Sequence, residues 1–194
     1  MARGEAVSIT TTLLGTCSRA IERQAAKGDA MWLSGDLGLA AAGLAALERN
    51  MGDDDALQAA IAAWRRPHAR IDAGRAMADV ARGAIDVSDG LAQDVAHIAR
   101  ASNLCAVIDE AALLAHGGAL LASTAARLRV EPIDLALYGG EDYALVVASA
   151  VPIAGFSRIG RFEEGSGVAL QTVSSDKNGR GVIPITPRGF DHFK

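Results

Sequence analysis

Three polar side chains lie within four positions, where an apolar run meets an amphipathic one. The stretch AIDVSDG places Asp86, Ser88 and Asp89 directly before LAQDVAHI. A helix start offers unpaired N–H groups that attract phosphates, and carboxylates at the same corner would bind Mg²⁺, which prefers oxygen ligands. An ordinary helix cap with a local hydrogen bond explains the same residues. Taken alone, the pattern favours the cap, because a single Asp-x-Ser-Asp is not specific.

A second stretch, YGGEDYALVV, carries acids after a glycine pair. Two glycines permit a tight turn or the close approach of a ligand, and Glu141 and Asp142 follow them before a predicted strand. Taken alone, the stretch is better explained as a loop with solvated acids, since glycine pairs are common before strands. The function of this segment therefore depends on what lies beside it.

Other candidate residues are a pair of arginines and the aromatic end of the chain. Arg19 and Arg23 lie four apart on a predicted helix, where they form either a solvated face or a clamp on a nucleotide phosphate. The terminal GFDHFK offers rings that pack on the core or stack on a flat ligand. The four histidines lack zinc-ligand spacing, and we assign no catalytic residue among them.

The composition excludes several classes of protein. The net charge is −4 and no basic run of five residues occurs, so we expect no nucleic-acid partner. No apolar stretch reaches the ~18 residues of a membrane helix. Cys17 and Cys105 lack CxxC spacing, which predicts free thiols in a reducing compartment. These features indicate a soluble cytoplasmic protein.

The elements that must position these residues alternate between strands and helices. Hydrophobic residues make up 50% of the chain and aromatic residues only 4%, which favours a helix-rich core. Strands are predicted at 8–15, 30–35, 84–87, 105–109, 143–149, 156–162, 168–173 and 181–185, and helices at 17–29, 37–50, 56–66, 69–82, 90–102 and 118–129. The interleaving predicts an α/β (α+β) fold with a mixed sheet and helices packed on it. Small residues along 37–50 suit close packing on a sheet.

The motifs together resemble those of thiamine-monophosphate kinase. AIDVSDGLAQDVAHIARAS, ALYGGEDYALVV, RIGR and GFDHF occur here in that family's order and spacing, and WLSGDLGLAAAGLAAL and RRPHAR resemble its neighbouring segments. The resemblance covers nearly the whole chain. The family belongs to the aminoimidazole ribonucleotide synthetase-like superfamily, and the resemblance implies its C-terminal domain fold.

The resemblance implies a kinase that transfers a phosphoryl group from ATP to thiamine monophosphate, giving thiamine diphosphate. By that resemblance, Asp86 and Asp89 would be Mg²⁺ ligands and Ser88 and Arg23 would contact ATP. Substrate contacts are implied for two further residues, Glu141 and Phe190. The implied partners are small molecules, and a homodimer is a further expectation.

The chain also departs from the family pattern. It begins after the family's N-terminal domain, which implies that 1–27 are the remnant of that domain (a last strand and a connecting helix). Residues 28–194 would form the C-terminal α/β domain, with a substrate-contacting tail at 186–194. Ala144 and Ala69 replace an acid and a proline that the family often has. Three functions therefore remain open: a kinase impaired by truncation, a sibling ATP-dependent enzyme with another substrate, and a non-catalytic or partner-dependent domain.

Overall fold

The computed structural model describes residues 10–172 and 181–189 and shows a mixed sheet flanked by helices. Its strands are β1 (Ala30–Ser34), β2 (Gly83–Val87), β3 (Leu104–Asp109), β4 (Ala144–Ser149), β5 (Ser157–Glu164), β6 (Gly167–Thr172) and β7 (Gly181–Ile185). Its helices are α1 (Leu39–Glu48), α2 (Gln58–Arg65), α3 (Ile71–Met77), α4 (Leu91–Ser102), α5 (Glu110–Leu128) and α6 (Pro132–Tyr138). The predicted fold class is confirmed.

The seven strands lie in the order β2-β4-β1-β5-β3-β6-β7. All neighbouring pairs are antiparallel except β3 and β6, which are parallel. Because β1 and β2 are both antiparallel to β4, they run in the same direction, and their carboxyl ends meet at one edge of the sheet. The loops that follow β1 and β2 are therefore neighbours.

One face of the sheet carries the main core. Alternate strand residues such as Leu33, Val87 and Val146 are buried there against Leu91 and Ile98 of α4. The apolar stripe of α4 follows the helical spacing expected from the sequence. The opposite face has a smaller cluster around Met77, Ala81, Val147 and Ile153. It therefore buries fewer apolar side chains than the first face does.

Helix α1 packs closely on another helix, which corrects the prediction that its small residues face a sheet. Ala42 and Ala46 are buried with Ala60 and Ile61 of α2 in a separate cluster. Gly43 lies at the crossing, where an added Cβ would be 2.1 Å from the carbonyl oxygen of Ala60. Small side chains thus bring two helix backbones together.

The predictions for the beginning of the chain are wrong in their described part. Residues 10–15 form no strand and 17–29 form no helix; the only regular pairing between residues 10 and 29 is an isolated bridge from Glu22 to Gly83. β-branched residues form a strand only when a neighbouring strand supplies hydrogen-bond partners, and the described chain supplies none here. The division at residue 27 stays a prediction.

Helix α5 has 19 residues and a mean hydropathy of 1.2, so by length and composition alone it could cross a membrane. It begins eight residues earlier than predicted, and its backbone leaves helical geometry at Gly118. Leu113, Leu121 and Leu128 are buried in the protein. A core helix of this composition passes the same test, so the observation is weak evidence for a membrane span.

Candidate functional site

The stretch around Asp86 lies at a strand-to-helix junction, as predicted. Asp86 is exposed near the end of β2, Ser88 and Asp89 are half-buried in the turn, and Gly90 directly precedes α4. Gly90 has φ of 128°, a conformation that L side chains rarely adopt. The turn therefore presents two carboxylates and a hydroxyl group at the start of a helix.

A buried acid that the sequence analysis missed holds this turn. Asp94 Oδ2 accepts hydrogen bonds from the backbone N–H groups of Ser88 at 3.0 Å, Asp89 at 3.1 Å and Gly90 at 3.1 Å. Burial raises the pKa of Asp94 to about 6, against the opposing effect of these backbone hydrogen bonds. The signal was available: Asp94 follows Leu91 by three positions and so lies beside the apolar stripe of α4.

The Gly-Gly-Glu-Asp-Tyr segment crosses the same turn. The backbone N–H of Glu141 donates to the carbonyl oxygen of Ser88 at 2.8 Å, and the backbone N–H of Tyr143 donates to the carbonyl oxygen of Val87 at 2.9 Å. Gly140 permits this approach, because an added Cβ would lie 2.5 Å from the Ser88 oxygen. Ser88 and Glu141, two residues singled out from the sequence, are thus brought together.

The acids of the two segments share one electrostatic environment. The Tyr143 hydroxyl donates to Glu141 Oε2 at 3.1 Å. Burial raises the pKa of Tyr143 first, and the hydrogen bond to Glu141 and the charges of Glu141, Asp86 and Asp89 raise it further. The carboxylates of Asp86, Asp89 and Glu141 therefore all act on the Tyr143 hydroxyl. We call the part of the structure formed by these three acids the carboxylate corner.

These carboxylates have the chemistry of a site for a hard cation. Within residues 10–172 and 181–189, no group of three His, Cys, Asp or Glu side chains is arranged to hold a metal ion. Mg²⁺ is commonly bound through one or two carboxylates together with substrate phosphates and water. Asp86 and Asp89 fit that smaller requirement, so the donor set is compatible with Mg²⁺ bound through a phosphate ligand.

Asp142 has a structural task that the sequence did not reveal. Its Oδ2 accepts from the Gly38 N–H at 2.6 Å and its Oδ1 from the Ala40 N–H at 2.9 Å. These N–H groups belong to the start of α1, which has no capping side chain of its own. Asp142 thereby fixes the segment that carries Glu141 to the loop after β1.

The state of Asp142 predicts how stability depends on pH. Burial raises its pKa from 3.8 to about 7, despite the two backbone hydrogen bonds. The folded protein therefore keeps this proton over a range in which the unfolded chain has lost it. Between pH 4 and pH 7 the free energy of unfolding is expected to fall as the pH rises. Urea denaturation at several pH values measures this.

Asp142→Asn is the matched control for that measurement, since asparagine does not titrate. The difference in unfolding free energy, wild type minus variant, is expected to decrease from pH 4 to pH 7. The contribution of Asp94 is common to both proteins and largely cancels. A difference that stays constant or increases over this range would contradict the assignment.

Arg23 lies near Asp86, but on an irregular segment rather than on the predicted helix. The two residues line a cavity of about 690 Å³ together with Ile85 and Leu145. Arg23 also reaches α4 electrostatically, because its charge contributes, after burial and Arg100, to the lowered pKa of His97. The structure therefore brings Arg23 to the side of the carboxylate corner.

Arg19 does not share that position. Its guanidinium donates to the carbonyl oxygens of Ala81 at 2.9 Å and Ala78 at 2.7 Å. It ties the N-terminal segment to the connection between α3 and β2. This contact favours a structural explanation for Arg19 over a phosphate clamp.

The C-terminal segment approaches the same turn. A Cβ on Gly189 would lie 2.1 Å from the Asp89 carbonyl oxygen, and the Arg188 guanidinium lies 4.0 Å from the ring centroid of Tyr138. Phe190, predicted to contact substrate, lies outside the described residues, and its role stays a prediction. The described residues before it end against the Asp89 backbone.

The comparisons with known proteins agree on one family of relatives, although no family model matches. The chain is 32% identical to thiamine-monophosphate kinase of Aquifex aeolicus over 200 aligned positions, which cover all of this chain and 61% of that protein. It is 44% identical to thiamine-monophosphate kinase of Escherichia coli K12 over 133 positions, covering 66% of this chain and 39% of that protein. The chain thus spans less than two-thirds of these relatives.

A solved structure whose fold resembles this one comes from the same family of relatives. The complex of AaThiL with AMPPCP and TMP superposes with a TM-score of 0.75 and 31% identity, covering 89% of this chain and 54% of that one. The relationship is therefore supported by sequence and by structure.

Proposed function

Because the chain belongs to the thiamine-monophosphate kinase family, of which it represents the C-terminal part, we propose that it takes part in the ATP-dependent phosphorylation of thiamine monophosphate. The products would be thiamine diphosphate and ADP. The relatives carry that activity in their names, and a related structure binds AMPPCP and TMP. ATP and thiamine monophosphate are accordingly the proposed ligands.

One observation of this chain supports the proposal above the others: two motif segments meet at one turn. The hydrogen bond from Glu141 N–H to the Ser88 carbonyl places a segment proposed for substrate beside one proposed for nucleotide and metal. Asp86 and Asp89 would hold Mg²⁺, Ser88 and Arg23 would contact ATP, and Glu141 and Phe190 would contact thiamine monophosphate.

The proposed mechanism is a direct in-line transfer without a covalent enzyme intermediate. The acceptor is an ionised phosphate oxygen, so no side chain has to remove a proton, and no catalytic base is proposed. The obstacle is repulsion between two polyanions. Bound Mg²⁺ would supply charge neutralisation, while Arg23 would orient the phosphates.

A non-catalytic nucleotide-binding domain is the alternative that the geometry also favours. The described residues hold two candidate ligands for Mg²⁺ and no group of three metal-binding side chains. Phosphoryl transfer generally requires the metal to be held firmly against both phosphates. We therefore propose that these 194 residues bind nucleotide more readily than they turn it over.

Calorimetric titration of the chain with AMPPCP and Mg²⁺ tests the binding step. Asp86→Asn and Asp89→Asn are each expected to weaken Mg²⁺-dependent binding about 10-fold, because each removes an anionic ligand. Asp79→Asn is the control: Asp79 is an exposed acid before β2, and its loss should change affinity less than twofold. Equal effects in all three variants would contradict the metal assignment.

A separate assay tests the reaction itself. The chain is incubated with ATP, Mg²⁺ and thiamine monophosphate, and thiamine diphosphate is measured by chromatography. Formation of thiamine diphosphate that is lost in Asp86→Asn supports the kinase. Nucleotide binding without product supports the non-catalytic alternative, and ADP release with other phosphate acceptors supports a sibling enzyme.

A further inference from the structure

A second cavity, of about 470 Å³, lies at the carboxyl end of β1 and is lined by Ser34, His68, Arg70, Asp72 and Arg75 among others. These residues are separate from the carboxylate corner but close to it. Ser34 and Asp86 both pair with Leu145 of β4. They therefore lie on one face, two interstrand spacings or roughly 10 Å apart.

Arg70 is the residue of this cavity whose state is unusual. Its side chain is only 22% exposed, and its one ion pair with another described residue is a long contact of 3.5 Å from Nη2 to Asp36. Its Nε is buried and has no hydrogen-bond partner among the described residues. A guanidinium has five N–H donors, and leaving donors unpaired away from water destabilises the protein. At least the Nε–H donor of this group is therefore unused.

The loop after β1 is shaped around that guanidinium. Gly35 has φ of 105°, and an added Cβ would lie 2.7 Å from Arg70 Nε. The opposite side of the loop is fixed by a hydrogen bond between His116 Nε2 and the Gly35 carbonyl at 2.8 Å. Glycine lets the planar group lie against the backbone, so the position of Arg70 is built into the fold.

The surrounding charges leave the cavity attractive to anions. His68 and Arg75 line it beside Arg70. The acids nearby are Asp36, Asp72 and the buried Asp142, on which the charge of Arg70 also acts. Because burial raises the pKa of Asp142 to about 7, that acid is only partly ionised at neutral pH. Asp36 is 71% exposed, and Asp72 is 99% exposed at 3.8 Å from Arg75. Exposed acids at such distances neutralise a cation only weakly because water screens them.

We propose that this cavity binds a phosphate group of a small molecule, with Arg70 as its main ligand and His68 and Arg75 beside it. A planar guanidinium with free donors recognises a phosphate through two parallel hydrogen bonds. The segment RRPHAR, which takes no part in the carboxylate corner, would thereby have a role in binding phosphate. The site does not depend on phosphoryl transfer or on Mg²⁺.

Nuclear magnetic resonance of the ¹⁵N-labelled chain tests the proposal, with inorganic phosphate as the probe at constant ionic strength. The Arg70 Nε–Hε signal, assigned by its loss in Arg70→Lys, is expected to shift saturably. Measured on the amides of Ser34 and Gly35, Arg70→Lys should weaken phosphate binding about 10-fold, because lysine keeps the charge and loses the fork. Arg66→Lys, an exposed neighbour outside the cavity, should change it less than twofold.

Each contrary result has a distinct meaning. A phosphate titration that leaves the Arg70 signal unchanged overturns the proposal, as does an equal loss in Arg70→Lys and Arg66→Lys. Acetate binding as tightly as phosphate overturns the choice of ligand. Asp86→Asn should leave phosphate binding at Arg70 intact, so failure of the carboxylate corner and failure of this cavity are separable. Amide spectra of each variant verify that it is folded.

Discussion

Gly43→Ala is expected to lower the free energy of unfolding by about 1–2 kcal/mol, although alanine is the better helix former. The added Cβ would lie 2.1 Å from Ala60 O and 2.5 Å from Ala60 C. Both are backbone atoms, so relief requires α1 and α2 to move apart. Overpacking of this kind costs about 1–3 kcal/mol or more, which exceeds the gain of about 1 kcal/mol from helix propensity.

Gly74→Ala separates that clash from helix propensity. Gly74 lies inside α3, and nothing stands within 4 Å of an added Cβ. The same substitution should therefore stabilise the protein, by about 0.5–1 kcal/mol. Urea denaturation followed by circular dichroism measures both variants. If the two changes had the same sign, α1 and α2 would not pack at the distance that the structure shows.

The junction of β2 and α4 shows what the sequence could predict. Alternation before Asp86 and helical spacing after Gly90 are local patterns, so both elements were predicted to within one residue. The meeting of this turn with Glu141 could be predicted only from the family resemblance. No local pattern in either stretch indicates that the backbone N–H groups of Glu141 and Tyr143 donate hydrogen bonds to the carbonyl oxygens of Ser88 and Val87.

Asp142 shows why other parts of the site could not be predicted. Its partners, Gly38 and Ala40, are more than 100 positions away in the sequence. A cap supplied from another segment leaves no sign beside the helix that it caps, so Asp142 was taken as a solvated acid. Helix α6, Pro132–Tyr138, was missed because seven residues are too few for a clear periodic pattern.

The strand predicted at the beginning of the chain is wrong for a different reason. Residues 10–15 are rich in threonine and leucine, and these residue types predict a strand by propensity. Strand propensity mainly reflects packing against neighbours on a sheet, and Leu13 and Leu14 are instead 89% and 97% exposed. Local sequence preference therefore cannot decide the structure of this segment.

Asp94→Ala is expected to destabilise the protein by about 2–4 kcal/mol, because one side chain satisfies three consecutive N–H groups of the turn. The Gly90 N–H is buried, and those of Ser88 and Asp89 are partly so. Each buried donor left without an acceptor costs about 1–3 kcal/mol, and partly exposed donors recover some of this from water. Asp94→Asn keeps one acceptor oxygen and should lose about half as much.

Asp134→Ala is the matched control, since Asp134 also lies in the first turn of a helix but is 56% exposed. Its loss removes a favourable interaction with the helix dipole, about 0.3–1 kcal/mol, and an exposed ion pair with Arg188 at 3.9 Å, which contributes about 0–1 kcal/mol. Hydrogen exchange adds a local measurement: in Asp94→Ala the amides of residues 88–90 should exchange faster relative to those of β4. Equal destabilisation by Asp94→Ala and Asp134→Ala would contradict the three hydrogen bonds. A selective loss would show that the buried carboxylate of Asp94 holds the turn that presents Asp86 and Asp89.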